Sequence, residues 1–446
     1  MEQLNDDTSC HSYNEKYDSL TNLLKYEYFF SNLKNIIEAN RNNPDFRLAI
    51  VYSDIRHFKY LNDTFGYNRG DELIRMYSDF TKVQHPSYLG TCRVYSDNFI
   101  IAANIGKMSE DDFYKEVDKR NKYFEDFIKP YFANRRVMLN TGAYVLRDTF
   151  NEDLETAISN ANYARKESKK FNTDKCVQFS DEMMNDIIFK MEISALFPKA
   201  IETQEIKVFF QPKVDSSTRK IIGAEALVRW IKPDGTFVYP DQFIPLFESN
   251  GMVVDLDYFV YNEVFKYIRT RLDLGLKVVP ISMNISRVHF KDDELMAFIE
   301  NLLREYKIPT KYIEFELTES IYINSIESVL PFVNKMRSLG IKISMDDFGS
   351  GYSSLNLLNN LPIDVLKLDK AFLSNDDLSK NQRIIISCVI SMAKQLDIKV
   401  LCEGVENKLQ SDFLSNAGCD MFQGYYFSKP ICENDFNQYM TSNRSN

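Results

Sequence analysis

Acidic and amide side chains recur at the ends of apolar, strand-like runs in the second half of this chain. Two adjacent aspartates, Asp346 and Asp347, end the run IKISMDD and stand directly before the sequence FGSG. An isolated Asp-Asp pair before glycine is typical of a simple turn. Other runs, however, end in the same way, at Glu225, Asn284, Glu316, Glu319, Lys367, Asp369, Glu403, Glu406 and Gln423. This repetition favours one shared site over a set of separate turns.

A shared site of this composition indicates cation chemistry. Carboxylates that converge in one pocket repel one another unless cations neutralise them. Oxygen ligands without Cys or His are typical of Mg²⁺ or Mn²⁺. Two such ions about 3.5–4 Å apart bind an anionic phosphate, generate hydroxide and stabilise the leaving oxygen. The residue types therefore predict metal-dependent hydrolysis of a phosphodiester.

Eight strand-like runs must position these residues. They are KVFFQPKV (207–214), IIGAEALVRW (221–230), KVVPISMNIS (277–286), IEFELTES (313–320), IKISMDD (341–347), VLKLDK (365–370), IKVLCEGVE (398–406) and MFQGYYFS (421–428). Strands that alternate with helix-length segments in this way predict a (β/α)₈ barrel, in which functional residues lie at the C-terminal ends of the strands. Only DSSTRK separates the first two runs, which is too short for a parallel crossover. We therefore expect a modified barrel with one antiparallel strand.

The first part of the chain mixes strand-like and helical patterns. Its strand-like runs are LAIVYSDI (48–55), CRVYSDNFIIAA (92–103) and RVMLNTGAYVL (136–146). Helical patterns cover 18–40, 70–82, 110–133 and 153–170. The fold class is therefore α/β, with an N-terminal α/β sandwich before the barrel. We predict a polar tail at 1–15, the first domain at 16–180, a connecting helix at 181–204 and the barrel domain at 205–446.

Composition limits the classes of function that this chain could have. A net charge of −10 without a basic block argues against binding to a nucleic acid polymer. The 7 cysteines show no CxxC spacing, which favours reduced thiols and a cytoplasmic location. The N-terminal sequence is polar, and no apolar run is long enough to cross a bilayer. We therefore expect a cytoplasmic protein that does not bind to a membrane.

Seven motifs in the second half resemble the EAL family of cyclic di-GMP phosphodiesterases. They are EALVRW, SMNIS, FELTES, MDDFGSGYSSL, LKLDKAF, CEGVE and QGYYFSKP, in this order within residues 185–440. The resemblance implies the modified barrel and hydrolysis of cyclic di-GMP to linear pGpG. It also implies a homodimer.

The resemblance further implies roles for single residues. The implied ligands of two Mg²⁺ or Mn²⁺ ions are Glu225, Asn284, Glu316, Asp346 and Asp347, with Asp346 bridging the ions. Lys367 would orient the attacking water, and Glu403 would act as a general base or help to hold the second metal. Three further residues would complete the pocket or anchor the loop at 348–354, namely Glu406, Gln423 and Glu319. The implied substrate contacts are Gln211, Leu227, Arg229 and Asp369.

The first domain resembles the GGDEF family of diguanylate cyclases, but its signature is altered. The resemblance lies in DSLTNLLKYEYF (18–29), SDIRHFKYLNDTFGYNRGD (53–71) and ANYARKESKKFN (161–172). In the signature, Tyr95 and Ser96 replace two glycines, and Asn98 replaces an acid. An amide can neither supply the charge of a carboxylate nor accept a proton as a base. The product-inhibition motif RxxD is also missing from PSYL (86–89). We therefore do not expect cyclase activity.

Two sets of alternatives stay open at the level of sequence. Asp54, Lys59, Asn62 and Asp71 match metal, phosphate and guanine positions of the GGDEF family, so the domain either binds GTP and regulates the barrel or retains these residues for packing and turns. The barrel either hydrolyses cyclic di-GMP or binds it as a receptor without cutting it. A bifunctional cyclase and phosphodiesterase is disfavoured by residues 95–98.

Overall fold

The computed structural model describes residues 16–82, 87–132, 135–170, 173–291, 294–349, 362–373 and 378–442. The chain divides into two compact units between Phe189 and Lys190, within the helix Asp181–Glu202. Of the loop predicted at 348–354, the part after Gly349 lies outside the described residues.

A mixed sheet forms the centre of the first unit. Its strands are β1 (Leu48–Ile55), β2 (Tyr88–Tyr95), β3 (Asn98–Asn104), β4 (Leu139–Val145) and β5 (Val177–Gln178), in the order β2-β3-β1-β4-β5. The helices of this unit are α1 (Tyr26–Ala39), α2 (Phe58–Phe65), α3 (Tyr67–Lys82), α4 (Glu110–Ile128) and α5 (Leu154–Lys170). Along β1, Leu48 and Ile50 pack with α1 and α5, whereas Ala49 and Val51 pack with α4. This burial of both sheet faces confirms the predicted α/β sandwich.

Several element boundaries in the first unit differ from the predictions. The run 92–103 is not one strand but belongs to a hairpin, because Ser96 adopts a left-handed φ of 48° between β2 and β3. The helix predicted at 18–40 begins only at Tyr26. Helix α2 was not predicted; it ends at Phe65 and is followed by Gly66, whose φ is 86°, immediately before α3. Turn residues, rather than apolar periodicity, therefore set these boundaries.

Gly142 determines how closely α5 approaches β4. A Cβ atom at this position would lie 1.9 Å from the backbone nitrogen of Arg165 and 2.5 Å from the carbonyl oxygen of Ala161. We expect Gly142→Ala to destabilise the first unit by about 1–3 kcal/mol, because backbone atoms must move. Hydrogen exchange of β4 peptides in the full chain should then become about 10–100-fold faster. Gly90→Ala is the matched control, since its nearest neighbour would be 3.4 Å away; equal effects of the two variants would contradict this prediction.

Eight strands close into a barrel in the second unit. The strands of this unit are β6 (Ile206–Asp215), β7 (Ile221–Ile231), β8 (Phe237–Val238), β9 (Ile281–Asn284), β10 (Ile313–Thr318), β11 (Lys342–Phe348), β12 (Val365–Leu368), β13 (Lys399–Cys402) and β14 (Met421–Phe422). Without the short β8, which pairs only with β7, their order is β6-β14-β13-β12-β11-β10-β9-β7, and the pairing of β6 with β7 closes the ring. Strand β6 is antiparallel to both neighbours, and the other barrel pairs are parallel. The modified barrel with one antiparallel strand is therefore confirmed.

Helices cover the outside of this barrel. Helix α6 (Asp181–Glu202) contains the boundary between the two units. The helices that belong wholly to the second unit are α7 (Pro240–Asn250), α8 (Val253–Asp273), α9 (Glu294–Tyr306), α10 (Glu319–Ser338), α11 (Lys380–Gln395), α12 (Lys408–Asn416) and α13 (Glu433–Ser442). Along β10, Ile313, Phe315 and Leu317 belong to the apolar core, while Glu314 and Glu316 alternate with them. Because successive side chains of a strand point to opposite faces, these acids face the barrel interior. Within the described residues, no helix combines the length and the apolar character needed to cross a bilayer.

Candidate active site

Adjacent barrel strands bring the implied metal ligands together. Glu225 lies on β7, Asn284 ends β9, Glu316 lies on β10 and Asp346 lies on β11. Backbone pairing places Glu316 beside Asn284, and Thr318 beside Asp346. One carboxylate oxygen from each of Glu225, Glu316 and Asp346 lies within 4.8 Å of the others, and all three residues are buried. The parallel register therefore builds a compact carboxylate cluster from residues far apart in sequence.

The ammonium group of Lys367 lies at the centre of this cluster. Its Nζ atom is 2.9 Å from Asp346 Oδ2, 2.8 Å from Glu403 Oε1 and 3.6 Å from Glu225 Oε2, and it also contacts Glu316 Oε2. Burial opposes the charge of this lysine, but the surrounding carboxylates raise its pKa well above the usual value. Lys367 is therefore a permanent cation among four acids.

Burial changes the proton affinity of the carboxylates unequally. Loss of hydration and the neighbouring Glu316 raise the pKa of Glu225, and burial also raises that of Asp346. Burial raises the pKa of Glu403 to about 8 against the opposing effect of Lys367. For Glu316, burial is outweighed by the ammonium groups of Lys213 and Lys367, which lower its pKa. The site thus combines a firmly ionised carboxylate with others that hold protons more readily.

Two glutamines and Asn284 fix the orientation of Glu225. Gln423 donates from Nε2 to Glu225 Oε2 at 2.6 Å and to Gln211 Oε1 at 3.0 Å. Asn284 donates from Nδ2 to Glu225 Oε1 at 3.0 Å. Gln211 in turn donates to the carbonyl oxygen of Ser428 at 3.2 Å. The structure therefore places Gln423 in contact with the carboxylate cluster, and Gln211 in contact with Gln423.

The chain turns sharply at the two adjacent aspartates. Asp347 has a left-handed φ of 57°, and the pairing of β11 with β12 is irregular between Met345 and Phe348. The backbone N–H of Asp347 donates to Asp346 Oδ1 at 2.8 Å. Burial, followed by the charge of Asp369, raises the pKa of Asp347. Neighbouring residues of a regular strand point to opposite faces. At this irregular position, Asp347 still interacts electrostatically with the acids at the barrel mouth.

The remaining site residues take more peripheral positions. Glu319 accepts a hydrogen bond from the backbone N–H of Gly349 at 3.2 Å, at the start of the predicted loop. Asp369 accepts from the N–H of Ala371 at 2.8 Å, and Glu406 is exposed. The structure therefore brings Glu319 to the loop that follows Asp347, while Glu406 stands apart from the buried acids.

A cavity of about 530 Å³ adjoins the carboxylate cluster. Leu227, Arg229 and Asn284 are among its lining residues. Burial lowers the pKa of Arg229, but an arginine stays protonated. Asp257 also lines the cavity, and its Oδ2 atom lies 2.9 Å from Nε2 of the buried His289. Neither Asp257 nor His289 was predicted as a site residue, because α8 and the segment after β9 converge only in the folded barrel.

A second buried ammonium, that of Lys213, was also missed from the sequence. Lys213 Nζ lies 2.7 Å from Glu316 Oε1 and 3.0 Å from Glu314 Oε1. Ser344 Oγ donates to Glu314 Oε1 at 2.6 Å. The sequence did contain a signal for Lys213 and Glu314. Each lies two residues from a predicted site residue, Gln211 or Glu316, and residues at this spacing lie on the same face of a strand.

In the first unit, Asp54 is held inside the protein. It forms a buried ion pair with Arg165 and accepts a hydrogen bond from Asn140 Nδ2 at 2.5 Å. Asn140 Oδ1 in turn accepts from Arg56 Nε at 2.9 Å. An arginine therefore compensates the carboxylate that the family resemblance assigns to a metal.

The other implied GTP contacts lie on α2 and α3. Lys59 is exposed on α2, and Asn62 lies against Gly70, the residue before Asp71 on α3. A Cβ at Gly70 would be only 1.8 Å from Asn62 Oδ1, so this glycine permits the close approach. The structure therefore brings Asn62 and the start of α3 together.

Comparisons with known proteins match both units. The family model "EAL domain" matches residues 195–430, and "Diguanylate cyclase, GGDEF domain" matches residues 15–175. "Signaling protein YkoW" of Bacillus subtilis is 30% identical over 430 residues, which cover 95% of this chain and 53% of the relative. "Cyclic di-GMP phosphodiesterase NbdA" of Pseudomonas aeruginosa is 28% identical over 422 residues, which cover 93% of this chain and 53% of the relative. This chain therefore spans about half the length of these two curated relatives.

A solved structure also resembles the barrel. "PaMucR Phosphodiesterase, c-di-GMP complex" is 31% identical, with a TM-score of 0.52. The match covers 55% of this chain and 99% of that chain.

Proposed function

From the premise that this chain belongs to the EAL domain family, with a GGDEF domain before its EAL domain, we propose that the barrel hydrolyses cyclic di-GMP to linear pGpG with two bound Mg²⁺ or Mn²⁺ ions. The observation that carries the proposal is the buried cluster of Glu225, Glu316 and Asp346. Two comparisons support the substrate, because NbdA is named as a cyclic di-GMP phosphodiesterase and the MucR barrel was solved with c-di-GMP.

The donor set of the cluster fits hard divalent cations. Glu225, Asn284, Glu316 and Asp346 would hold one ion, and Asp346 and Asp347 would hold the other. All of them offer oxygen ligands, as Mg²⁺ and Mn²⁺ prefer. A bound ion would supply positive charge to the phosphodiester and lower the pKa of water. Mutual repulsion among the buried acids gives a physical reason for cation uptake.

Lys367 and Glu403 are the side chains that would act on the attacking water and the phosphate. The fully buried ammonium of Lys367 has three N–H donors and would orient the attacking water or a phosphate oxygen. Glu403 contacts Lys367, and burial raises its pKa to about 8, so it can exchange a proton near neutral pH. We assign the base role to Glu403 and leave Glu406, which is exposed, at the edge of the pocket.

The cavity beside Glu225 would receive one guanosine half of the substrate. Leu227 supplies an apolar wall, and the guanidinium of Arg229 is suited to a phosphodiester oxygen. Gln211 and Asp369 would contact the other half. Homodimerisation, which the family resemblance implies, stays a prediction.

A turnover assay tests the proposal directly. Purified protein is incubated with cyclic di-GMP and Mg²⁺ or Mn²⁺, and pGpG is separated by chromatography. The proposal expects pGpG to form with either ion and not with excess EDTA. Binding of cyclic di-GMP without formation of pGpG would instead support a non-hydrolysing receptor.

For the GGDEF domain, we propose that it lacks cyclase activity and binds GTP as a regulatory ligand. Two features argue against catalysis: Asn98 replaces an acid, and Arg165 already compensates Asp54. Asn62, beside the start of α3, and the exposed Lys59 are the proposed contacts to guanine and phosphate.

GTP is expected to change the rate of cyclic di-GMP hydrolysis by about fivefold or more, as coupled sites commonly do. The rate should be measured with and without GTP, together with GTP binding by calorimetry. Asn62→Ala should weaken both effects, whereas Asn68→Ala, at an exposed position of α3, serves as the matched control. An unchanged rate together with no GTP binding would refute the regulatory role, and cyclic di-GMP formed from GTP would refute the loss of cyclase activity.

A further inference from the structure

Lys213 crosses the barrel interior to reach β10. In the strand order, β7 and β9 lie between β6, which carries Lys213, and β10, which carries Glu314 and Glu316. The side chain of Lys213 is 5% exposed and contacts both glutamates. Its position therefore depends on the closure of the whole barrel.

The two buried lysines divide the carboxylate of Glu316 between them. Lys213 contacts Oε1, and Lys367 contacts Oε2. Lys367 also contacts Glu225, Asp346 and Glu403, so it occupies the space in which those acids converge. Lys213 instead has Glu314 as its second partner, and Ser344 holds Glu314 in turn. Ions that enter the cluster would compete with Lys367 for the carboxylate oxygens. The contact of Lys213 with Glu316 Oε1 does not depend on that space and would persist.

We propose that Lys213, held by Glu314 and Ser344, is a positioning residue that fixes Glu316 as a metal ligand. The inference rests on the proposed metal-dependent function of the barrel. Lys213 acts through Glu316 and does not itself touch the metal or the substrate. Partners that orient a metal ligand in this way commonly contribute about 10–100-fold to metal affinity or activity.

Stability alone does not account for this arrangement. Replacing a buried ion pair by well-packed apolar residues is often neutral or stabilising. Apolar residues could therefore fill the space of the Lys213–Glu314 pair without loss of stability. Its second contact, to Glu316, gives the pair a role at the site.

The test separates orientation of Glu316 from general destabilisation. The double variant Lys213→Met/Glu314→Gln removes both charges together, so Glu314 is not left as a buried charge without its partner. Glu316 loses Lys213 but keeps Lys367, and Ser344 can still donate to the new amide. Mn²⁺ binding is measured on the full chain by electron paramagnetic resonance without substrate, and folding is followed by thermal unfolding. We expect Mn²⁺ affinity to fall about 10–100-fold while the unfolding temperature stays close to that of the wild type.

Two further variants complete the experiment. Lys207→Met, at an exposed position of the same strand, is the matched control and should leave Mn²⁺ affinity unchanged. Ser344→Ala removes only the hydroxyl that holds Glu314, so it should weaken Mn²⁺ binding less than the double variant and provides a readout if the double variant does not fold. A wild-type Mn²⁺ affinity in a folded double variant, or in Ser344→Ala when the double variant does not fold, would overturn the inference. A wild type that binds Mn²⁺ without hydrolysing cyclic di-GMP would count against the proposed function alone.

Discussion

Glu225→Ala is expected to lower the rate of cyclic di-GMP hydrolysis by about a thousandfold, which corresponds to several kcal/mol of lost transition-state stabilisation. The substitution removes one of the three clustered carboxylates. It also removes an acceptor from Asn284 and from Gln423, which keeps only its hydrogen bond to Gln211. Formation of pGpG at saturating Mn²⁺ is the measurement.

Glu300→Ala is the matched control for this substitution. Glu300 lies on α9, where it forms an ion pair with Lys335 and is 38% exposed. Exposed ion pairs contribute little to stability, so the control should retain the wild-type rate. If Glu225→Ala hydrolysed cyclic di-GMP at the rate of this control, the assignment of the active site would be wrong.

The barrel could be predicted because each local signal agreed with the global fold. Alternating apolar and polar residues, as in Ile313 to Leu317, marked the strands and their inward face. The short connection between the first two barrel strands required an antiparallel pair, which β6 and β7 form. Strand order then places polar strand ends at one mouth, so Glu225, Glu316 and Asp346 converge as the sequence suggested.

Ion pairs between residues far apart in the chain could not be predicted from the sequence. Lys213 lies 101 residues before Glu314, and Asp54 lies 111 residues before its partner Arg165. No local periodicity identifies such partners, because they depend on which side chains meet across a closed barrel or sheet. Ser96 shows a similar limit at short range, since its left-handed φ divides one apparent strand into β2 and β3. Backbone turns of this kind are permitted, but not required, by residue type.

Lys367 and bound metal ions would neutralise the same carboxylates, so we expect a second large effect, on the stability of the barrel. In the described site, this lysine is the cation shared by Glu225, Glu316, Asp346 and Glu403. Removing one partner of a buried ion pair typically costs roughly 3–5 kcal/mol, because the other charge is left uncompensated. Bound ions would supply positive charge to the same carboxylates and stabilise the folded state by an amount that grows with the logarithm of their free concentration. The loss of stability on removing Lys367 should therefore depend on the metal.

Lys367→Met is expected to lower the unfolding temperature of the EAL domain in EDTA by roughly 6–20 °C, the equivalent of about 3–5 kcal/mol for a domain of this size. In saturating Mn²⁺ the difference from the wild type should become smaller, while hydrolysis stays impaired because the donor to water or phosphate is gone. Lys399→Met, at an exposed position of β13, is the control and should show no metal-dependent shift. Equal destabilisation in EDTA and in Mn²⁺ would contradict the view that Lys367 and the ions neutralise the same carboxylates. A metal-dependent difference would instead show that Lys367 stabilises this acidic barrel when its ions are absent.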